Sequence, residues 1–270
     1  MTPPPGDGPD RLRRIASKIR REEDLKASLN VAQKRQLFML PPDPELPGYE
    51  FASTYDPAAD ISGDFYDYIQ LDEGRVGILQ ADVSGHGVEA AIVMGMAKKA
   101  LSIYARSATS AKETLVWGND DLCADLDSET FLTALYAILD APNARMVLAR
   151  AGHNLPVLFN KKRKPSHQLL KSGGMMIGMY PGEVFSRALT EITVDVVVGD
   201  LVFFYTDGLT EARSPSGEQY GMDRVLGVLE SRAREKPEKI LKALQNAVDK
   251  FHGGGEAEDD ISMICFRRVK

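Results

Sequence analysis

Cysteine is scarce in this sequence: the 270 residues include only two, Cys123 and Cys265. Two cysteines are too few for a disulfide framework or a thiolate metal site. A basic excess is also missing, since 39 acidic residues outnumber 33 lysines and arginines, and this argues against a nucleic-acid-binding surface. No apolar run approaches the roughly 18 residues that span a bilayer, and the N-terminus lacks a signal-peptide pattern. We therefore expect a soluble, cytoplasmic protein with neither nucleic-acid nor membrane partners.

The first part of the chain reads as an appendage to a folded domain. Residues 1–10 are mainly proline, glycine and aspartate and are expected to be disordered. Residues 11–40 favour a helix, and a 3,4-spaced seam along it is only partly apolar. The proline-rich stretch "PPDPELPG" at 41–48 ends this helix. We therefore predict an N-terminal regulatory or dimerisation helix with its linker over 11–47.

Residues 48–270 read as one α+β domain of many short strands. Short turns join most of the strands, which favours antiparallel pairing. Helices grouped in pairs favour two sheets packed face to face and covered by helices. Strands are expected at 49–55, 64–71, 75–82, 131–139, 145–150, 156–160, 185–193, 196–205 and 261–268, and helices at 87–106, 111–126, 221–233 and 236–251.

Two aspartates are expected to face each other across a hairpin. The strands 64–71 and 75–82 flank a tight turn centred on Glu73. In such a hairpin Asp64 lies opposite Asp82, with Cβ atoms about 4.5–5.5 Å apart. Two carboxylates this close repel each other unless a cation lies between them. One divalent cation, or two that share a bridging water, would fill this position.

Further aspartates stand at the ends of other predicted strands. Asp207 follows the apolar run "LVFFY", and Asp259 and Asp260 precede "ISMICF". An aspartate beside glycine is more often a turn residue or a helix N-cap. Several together, without nearby cysteine or histidine, favour an all-oxygen site for Mg²⁺ or Mn²⁺.

At these residues the sequence resembles the bacterial SpoIIE-like branch of the PPM metal-dependent serine/threonine phosphatases. The resemblance covers residues 48 to 268, and its motifs occur in the family's order. The matching runs are "YDPAADISGDFYDYIQL" (55–71), "ADVSGHGVEAAIVM" (81–94), "FLTALYAILD" (131–140), "AGHNLPVLF" (151–159), "GDLVFFYTDGLTEA" (199–212) and "DDISMICF" (259–266).

The resemblance implies an α-β-β-α sandwich with two Mn²⁺ or Mg²⁺ ions at one end of the sheets. It implies that Asp82 bridges both ions and that Asp64 supports one of them, with the carbonyl of Val83 also coordinating. Asp207 and Asp259 would complete the shell of the second ion. A metal-activated water would then attack phosphorus directly, without a phosphoenzyme.

Some residues depart from the family pattern or keep two interpretations. Asp260 is ranked below Asp259 as a ligand, and Ser62 replaces a glycine that usually precedes the first aspartate, so a tighter turn is expected there. His86 is either a general acid or phosphate contact or, as we favour, a solvated loop residue. His153 is expected to make a structural hydrogen bond to the backbone.

The substrate implied by the resemblance is a phosphorylated STAS-domain protein, an anti-sigma factor antagonist in a partner-switching pathway. No counterpart of the phosphate-binding arginine of eukaryotic relatives is evident, and the segment 171–184 is a candidate flap for substrate docking. From the partly apolar seam of helix 11–40 we predict that the chain forms a weak homodimer and that an upstream regulator acts on this helix. Two alternatives remain: a catalytically silent binding module of the same fold, and a broad-specificity metal-dependent phosphoesterase.

Overall fold

The computed structural model describes residues 8–72, 74–254 and 257–270 of the chain. The chain forms two compact units, Met1–Met39 and Leu40–Lys270. The first unit contains one helix, α1, from Gly8 to Met39. The expectation of disorder to residue 10 is wrong for residues 8–10, because a proline is tolerated in the first turn, where backbone amides have no helical partner. Residues 1–7 lie outside the described residues.

The second unit contains two five-stranded sheets in which every neighbouring pair of strands is antiparallel. The first sheet has the order β1-β10-β9-β6-β7, with β1 Tyr49–Asp56, β6 Val157–Phe159, β7 His167–Leu169, β9 Leu201–Tyr205 and β10 Ile261–Arg268. The second sheet has the order β2-β3-β4-β5-β8, with β2 Phe65–Asp72, β3 Arg75–Val83, β4 Leu132–Asp140, β5 Arg145–Ala151 and β8 Glu191–Asp195.

Helices cover the outer face of each sheet. The second sheet packs against α2 Gly87–Ser107, α3 Ala111–Leu122 and α4 Glu183–Ala188, and the first against α5 Gly208–Glu211, α6 Gly221–Ser231 and α7 Pro237–His252. A third apolar core lies between the two sheets. The predicted α-β-β-α sandwich is therefore confirmed.

Alternation along β3 shows how the sequence builds these layers. Val76 and Ile78 lie in the core between the sheets, whereas Leu79 and Ala81 face the core beneath the helices. Successive side chains of a strand point to opposite faces. Asp82 has the same parity as Val76 and Ile78, so β3 directs it to the face between the sheets.

Several stretches differ from the sequence-based expectation, and three of them have a clear physical reason. The strand expected at 185–193 begins as α4, because Phe185 and Leu189 are one helical turn apart and both bury against the second sheet. The strand expected from residue 196 starts only at Leu201, since a turn at Gly199, with φ of +91°, precedes it. Residues 40–47, expected to be a linker, belong to the second unit, where Leu46 is buried.

The candidate flap at 171–184 is held to the second sheet along part of its length. Ile177 is buried and exchanges both backbone hydrogen bonds with Leu132 at the start of β4. The Asn119 side chain of α3 accepts from the Gly178 amide and donates to the Tyr180 carbonyl. The apolar residues beyond this anchor, Met179, Tyr180 and Val184, are exposed.

None of the described helices combines the length and the apolar character that a membrane span requires.

Candidate metal centre at one end of the sandwich

The hairpin of β2 and β3 places Asp64 opposite Asp82, as the sequence predicted. Phe65 pairs with Ala81 and Tyr66 with Gln80, and this register carried one residue further brings the two aspartates together. Asp64 is buried, and the charge of Asp82 acts on its carboxyl group. The turn residue Glu73 lies outside the described part of the chain. The hairpin geometry thus creates the pair of carboxyl groups.

The loop that leads into Asp64 is shaped by its two preceding residues. The hydroxyl of Ser62 accepts a hydrogen bond from the Asp64 amide at 3.0 Å. Gly63 packs directly beneath Val83, because a Cβ at residue 63 would lie 2.9 Å from the Val83 carbonyl oxygen. Ser62 therefore tightens the turn as expected, and Gly63 allows the Val83 carbonyl to approach the start of β2.

The first sheet contributes Asp207 and Asp259 at the same end of the sandwich. Asp207 follows β9 and its carbonyl caps the short helix α5 by accepting from the Thr210 amide at 2.8 Å. Asp259 and Asp260 precede β10, and the Asp259 carboxylate accepts from the Asp260 amide at 2.8 Å. Both aspartates therefore reach the site from neighbouring strands of this sheet.

Asp260 has a different environment from Asp259. Its carboxylate accepts a hydrogen bond from the Ala58 amide at 2.8 Å. This contact fixes the loop between β1 and β2 and uses one of its oxygens. The contact supports the lower rank given to Asp260 as a candidate ligand.

Burial and mutual repulsion raise the pKa of three of these carboxyl groups. Burial, and then the charge of Asp82, raise the pKa of Asp64 well above its ordinary value. Burial, and then the charges of Asp207 and Asp259, raise the pKa of Asp82 to about 7, although the hydrogen bond with Asp64 opposes this shift. Burial also raises the pKa of Asp259. The four aspartates thus form one electrostatically coupled group drawn from both sheets.

The candidate centre lacks a balancing positive charge among the described residues. Of the ion pairs in this part of the chain, none joins Asp64, Asp82, Asp207 or Asp259 to a lysine or arginine. One carboxyl oxygen of Asp64 is buried without a hydrogen-bond partner. An all-oxygen donor set with a buried orphan oxygen fits a hard divalent cation.

The present spacing of the side chains is wider than a closed metal shell. Within the described ranges, no three His, Cys, Asp or Glu side chains come close enough to hold one ion as they stand. The strand ends bring the predicted carboxyl groups near one another, and cation binding would require them to close further. The structure therefore gives their proximity but leaves their assignment as ligands a prediction.

A buried polar layer beneath the aspartates was not foreseen from the sequence. The Thr206 hydroxyl hydrogen-bonds the Asp64 carboxyl group and accepts from the Ser262 amide at 2.9 Å. Gln80 donates to the Ser262 carbonyl at 3.0 Å and so links the two sheets. His153 joins this layer through side chains rather than through the expected backbone bond. The position of Gln80, two residues before Asp82 on the same face, is the one sequence signal for this layer.

Two cavities flank the centre. One, of about 250 Å³, lies beside the loop after Val83 and is lined by the exposed His86 together with Glu89 and Asp127. This position is compatible with both interpretations of His86. The second, of about 460 Å³, opens beside Asp259, and its charged lining residues are mostly acidic: Asp56, Glu211, Asp249, Glu258 and Asp259, with Arg213 and His252.

Comparison with known proteins supports this architecture. Residues 72–269 match the family model described as Stage II sporulation protein E (SpoIIE). The chain belongs to the SpoIIE family. This confirms the expected SpoIIE-like branch of the PPM serine/threonine phosphatases. Asp82, Asp207 and Asp259 lie within the matched segment, and Asp64 lies before it.

Individual relatives of this SpoIIE-family chain agree with the assignment. The phosphoserine phosphatase RsbU of Bacillus subtilis is 24% identical over 92% of this chain and 72% of RsbU. The SiaA-PP2C domain of Pseudomonas aeruginosa superposes with a TM-score of 0.78 at 22% identity, covering 91% of this chain and 98% of that domain. The catalytic domain of the phosphatase PstP, described in complex with two manganese ions, has a TM-score of 0.60 at 12% identity, covering 82% and 99%. The chain spans between 39% and 72% of the length of three curated relatives that it matches.

Proposed function

We propose that this chain is a metal-dependent protein phosphatase that hydrolyses phosphoserine or phosphothreonine with a water activated by two divalent cations. One observation carries the proposal. Asp64 and Asp82 face each other at the end of a hairpin, beside Asp207 and Asp259, and none of the four has an ion-pair partner among the described residues. Asp64 is buried, Asp82 and Asp207 are half-buried and Asp259 is exposed; carboxyl groups this close together repel one another unless cations compensate their charge.

The chain's own residues divide between two ion positions in this proposal. Asp82 would contribute to both, because Asp64 of its own hairpin and Asp207 and Asp259 of the other sheet all influence its pKa. Asp64 and the Val83 carbonyl, which Gly63 allows to approach, would hold one ion, and Asp207 and Asp259 the second. Mn²⁺ or Mg²⁺ bound there would lower the pKa of a coordinated water and offset charge on the phosphoryl oxygens.

The protein residues also supply the rigidity that such a reaction needs. Thr206 holds Asp64 from below, and Ser62 holds the Asp64 amide. Asp260 fixes the loop before Asp64 through the Ala58 amide. These contacts restrain the Asp64 carboxyl group and the loop before it, and so limit the movement that would be needed when the carboxyl groups close around a cation.

The proposed substrate is a phosphorylated STAS-domain protein. RsbU is named a phosphoserine phosphatase, which supports a phosphoprotein substrate, and the motif resemblance supports the STAS domain in particular. A partner-switching circuit would follow, in which dephosphorylation changes the partner of the STAS protein. An upstream regulator would act on helix 11–40, whose side chains Ile15, Ile19, Leu25 and Val31 are exposed in the single chain.

The test is phosphate release from para-nitrophenyl phosphate and from a phosphoserine STAS protein, with Mn²⁺, with Mg²⁺ and with chelator. Asp82→Asn is compared with Asp195→Asn, because Asp195 is exposed at the end of β8 and forms only a loose pair with Arg145 at 3.8 Å. We expect metal-dependent turnover that Asp82→Asn abolishes and Asp195→Asn leaves unchanged.

Three other outcomes would contradict this proposal in different ways. Metal binding without turnover of either substrate indicates the silent binding module. Hydrolysis of para-nitrophenyl phosphate that the phosphoserine STAS protein does not inhibit indicates a broad-specificity phosphoesterase. Turnover that persists in chelator, or in Asp82→Asn, removes the two-metal mechanism.

A further inference from the structure

His153 lies in the polar layer beneath the candidate centre and contacts two side chains. Its Nδ1 lies 2.7 Å from the Thr133 hydroxyl, and its Nε2 lies 3.4 Å from the Gln80 side-chain oxygen. His153 is buried, and burial followed by the nearby Arg150 charge lowers its pKa to about 3. The ring is therefore neutral, with one nitrogen that donates and one that accepts.

The partners of Gln80 decide which nitrogen carries the proton. The Gln80 nitrogen donates to the Ser262 carbonyl at 3.0 Å, and a carbonyl can only accept. The amide oxygen of Gln80 therefore faces His153, and since this oxygen can only accept, the proton is on Nε2. Nδ1 is then bare, and the Thr133 hydroxyl must donate its proton to it.

Thr133 is the cross-strand partner of Asp82. The two residues are paired in the β3–β4 register, and directly opposed Cβ atoms lie about 4.5–5.5 Å apart on one face of the sheet. A threonine hydroxyl at this distance can donate a hydrogen bond to an aspartate. The hydrogen bond to His153 removes that possibility, because a hydroxyl has a single proton.

We propose that His153 is a positioning residue, which accepts the proton of Thr133 and so keeps the carboxyl oxygens of Asp82 free for a cation. The inference rests on the proposed function only in that Asp82 binds metal. It assigns to His153 a role that acts through Thr133, without contact to the ions or to the substrate. The link through Gln80 to Ser262 also ties this role to the opposite sheet, which supplies Asp259.

The test measures the affinity of the full chain for Mn²⁺ by electron paramagnetic resonance of the free ion, without any activity assay. His153→Phe frees the Thr133 proton, and we expect a loss of affinity of about 10–100-fold, as for other outer-shell partners of metal ligands. Thr133→Val added to His153→Phe removes the competing hydroxyl and is expected to restore most of the affinity. Thr133→Val alone is expected to bind Mn²⁺ like the wild type.

Asn160→Ala is the matched control. Asn160 is a buried polar residue that donates to Asp200 at 2.8 Å, next to the end of β9 that lies away from Asp207. The substitution Asn160→Ala removes this buried hydrogen bond at a distance from the candidate centre, and we expect unchanged Mn²⁺ affinity. His153→Asn is the conservative variant, since its side-chain oxygen can replace Nδ1 as the acceptor.

The nitrogen chemical shifts of His153 in the wild-type chain provide a second measurement that needs no variant to fold. Protonated Nε2 and bare Nδ1 support the inference, and the opposite tautomer overturns it. Wild-type affinity in His153→Phe, or an affinity in the double variant as low as in His153→Phe, also overturns it while leaving the metal centre intact. A wild-type chain that binds no Mn²⁺ would overturn both the centre and this role of His153.

Discussion

The backbone of Asp260 occupies the space that a side chain at residue 208 would need. A Cβ added to Gly208 would overlap the Asp260 carbonyl oxygen and crowd the Asp260 carbonyl carbon, and it would contact the carbonyl carbon of Asp259. Gly208 directly follows Asp207, so this close approach sets the separation between two of the candidate ligands. Glycine is required at residue 208 because there is no space for a side chain, and not because of its backbone φ angle.

Gly208→Ala should therefore separate the ends of β9 and β10. We expect a loss of about 1–3 kcal/mol in the free energy of unfolding, as for other overpacked sites, together with weaker Mn²⁺ binding. Urea unfolding and Mn²⁺ titration would measure the two effects. Gly227→Ala in α6 is the control, since nothing lies near its added methyl group and alanine favours a helix by about 0.5–1 kcal/mol. Equal Mn²⁺ affinity in Gly208→Ala and the wild type would contradict this reading.

Asp259 and Asp260 should respond differently to the same substitution. Asp260→Asn keeps an oxygen that can accept from the Ala58 amide, so we expect metal affinity close to that of the wild type. Asp259→Asn removes a proposed ligand charge and should weaken Mn²⁺ binding by more than the roughly 10–100-fold typical of outer-shell groups. Calorimetric titration of both variants measures this difference. The reverse order of affinities would make Asp260 the ligand.

The stability of the chelator-treated protein should fall as the pH rises. In the folded chain the pKa of Asp64 is raised well above its usual value and that of Asp82 to about 7, so the folded state holds protons that the unfolded state has lost. This contribution is fully present below the unfolded aspartate pKa of about 4 and is lost as the pH rises through 7. For Asp82 alone the loss is on the order of 3–4 kcal/mol.

His153 contributes a pH dependence of the opposite sign, which the measurement must separate. Its pKa is lowered to about 3, so its contribution is lost as the pH falls below the unfolded histidine value of about 6.5. Thermal unfolding from pH 5 to 8 in chelator, compared between the wild type and Asp82→Asn, isolates the aspartate effect. We expect a smaller decrease of stability with pH in Asp82→Asn; identical slopes would show that Asp82 titrates normally.

A buried ion pair between α2 and β2 should be important for stability. Lys98 lies 2.6 Å from Asp67, and Ser102 donates to the same carboxyl oxygen at 2.5 Å. Lys98→Met leaves that carboxylate buried without its counter-ion, and we expect a cost of about 3–5 kcal/mol in urea unfolding.

Two further variants of this pair complete the test. Adding Asp67→Leu to Lys98→Met should recover most of the stability, because an apolar pair often replaces a buried ion pair without loss. Arg145→Ala removes an exposed pair with Asp195 and should cost less than about 1 kcal/mol. A Lys98→Met variant as stable as Arg145→Ala would show that Asp67 is compensated in another way.

Deletion of residues 1–39 tests the proposed role of the N-terminal helix. The helix carries exposed apolar residues along a partly polar seam, as expected of a weak dimerisation element. We expect the wild-type chain to show a concentration-dependent mass in sedimentation and the deleted chain to be monomeric with altered turnover. No change in either quantity would remove the regulatory role.

The hairpin at the centre of the site could be predicted because its information is local. A short turn between two patterned strands fixes the register, and the register places Asp64 opposite Asp82. The start of α4 could not be predicted in this way, since Phe185 and Leu189 fit both a strand and a helix until their burial is known.

The polar layer around His153 depends on contacts between distant parts of the chain. Gln80 and Ser262 are 182 positions apart in sequence, and no local pattern indicates that they meet. The expected backbone bond of His153 was wrong because its ring points into this layer, where side chains from two other strands already lie. Such contacts follow from the packing of the two sheets and not from the propensity of any segment.

The strand order of the first sheet has a consequence for the sequence of events in folding. β10 is the last of the ten described strands in chain order, yet it lies inside its sheet between β1 and β9. The second sheet contains no strand later than β8, so its pairings can all form earlier during synthesis. The residues that join the sheets beneath the candidate centre, Ser262 above all, lie on β10. The candidate centre therefore becomes ordered late in folding, through non-local contacts, and only after β10 has inserted between β1 and β9.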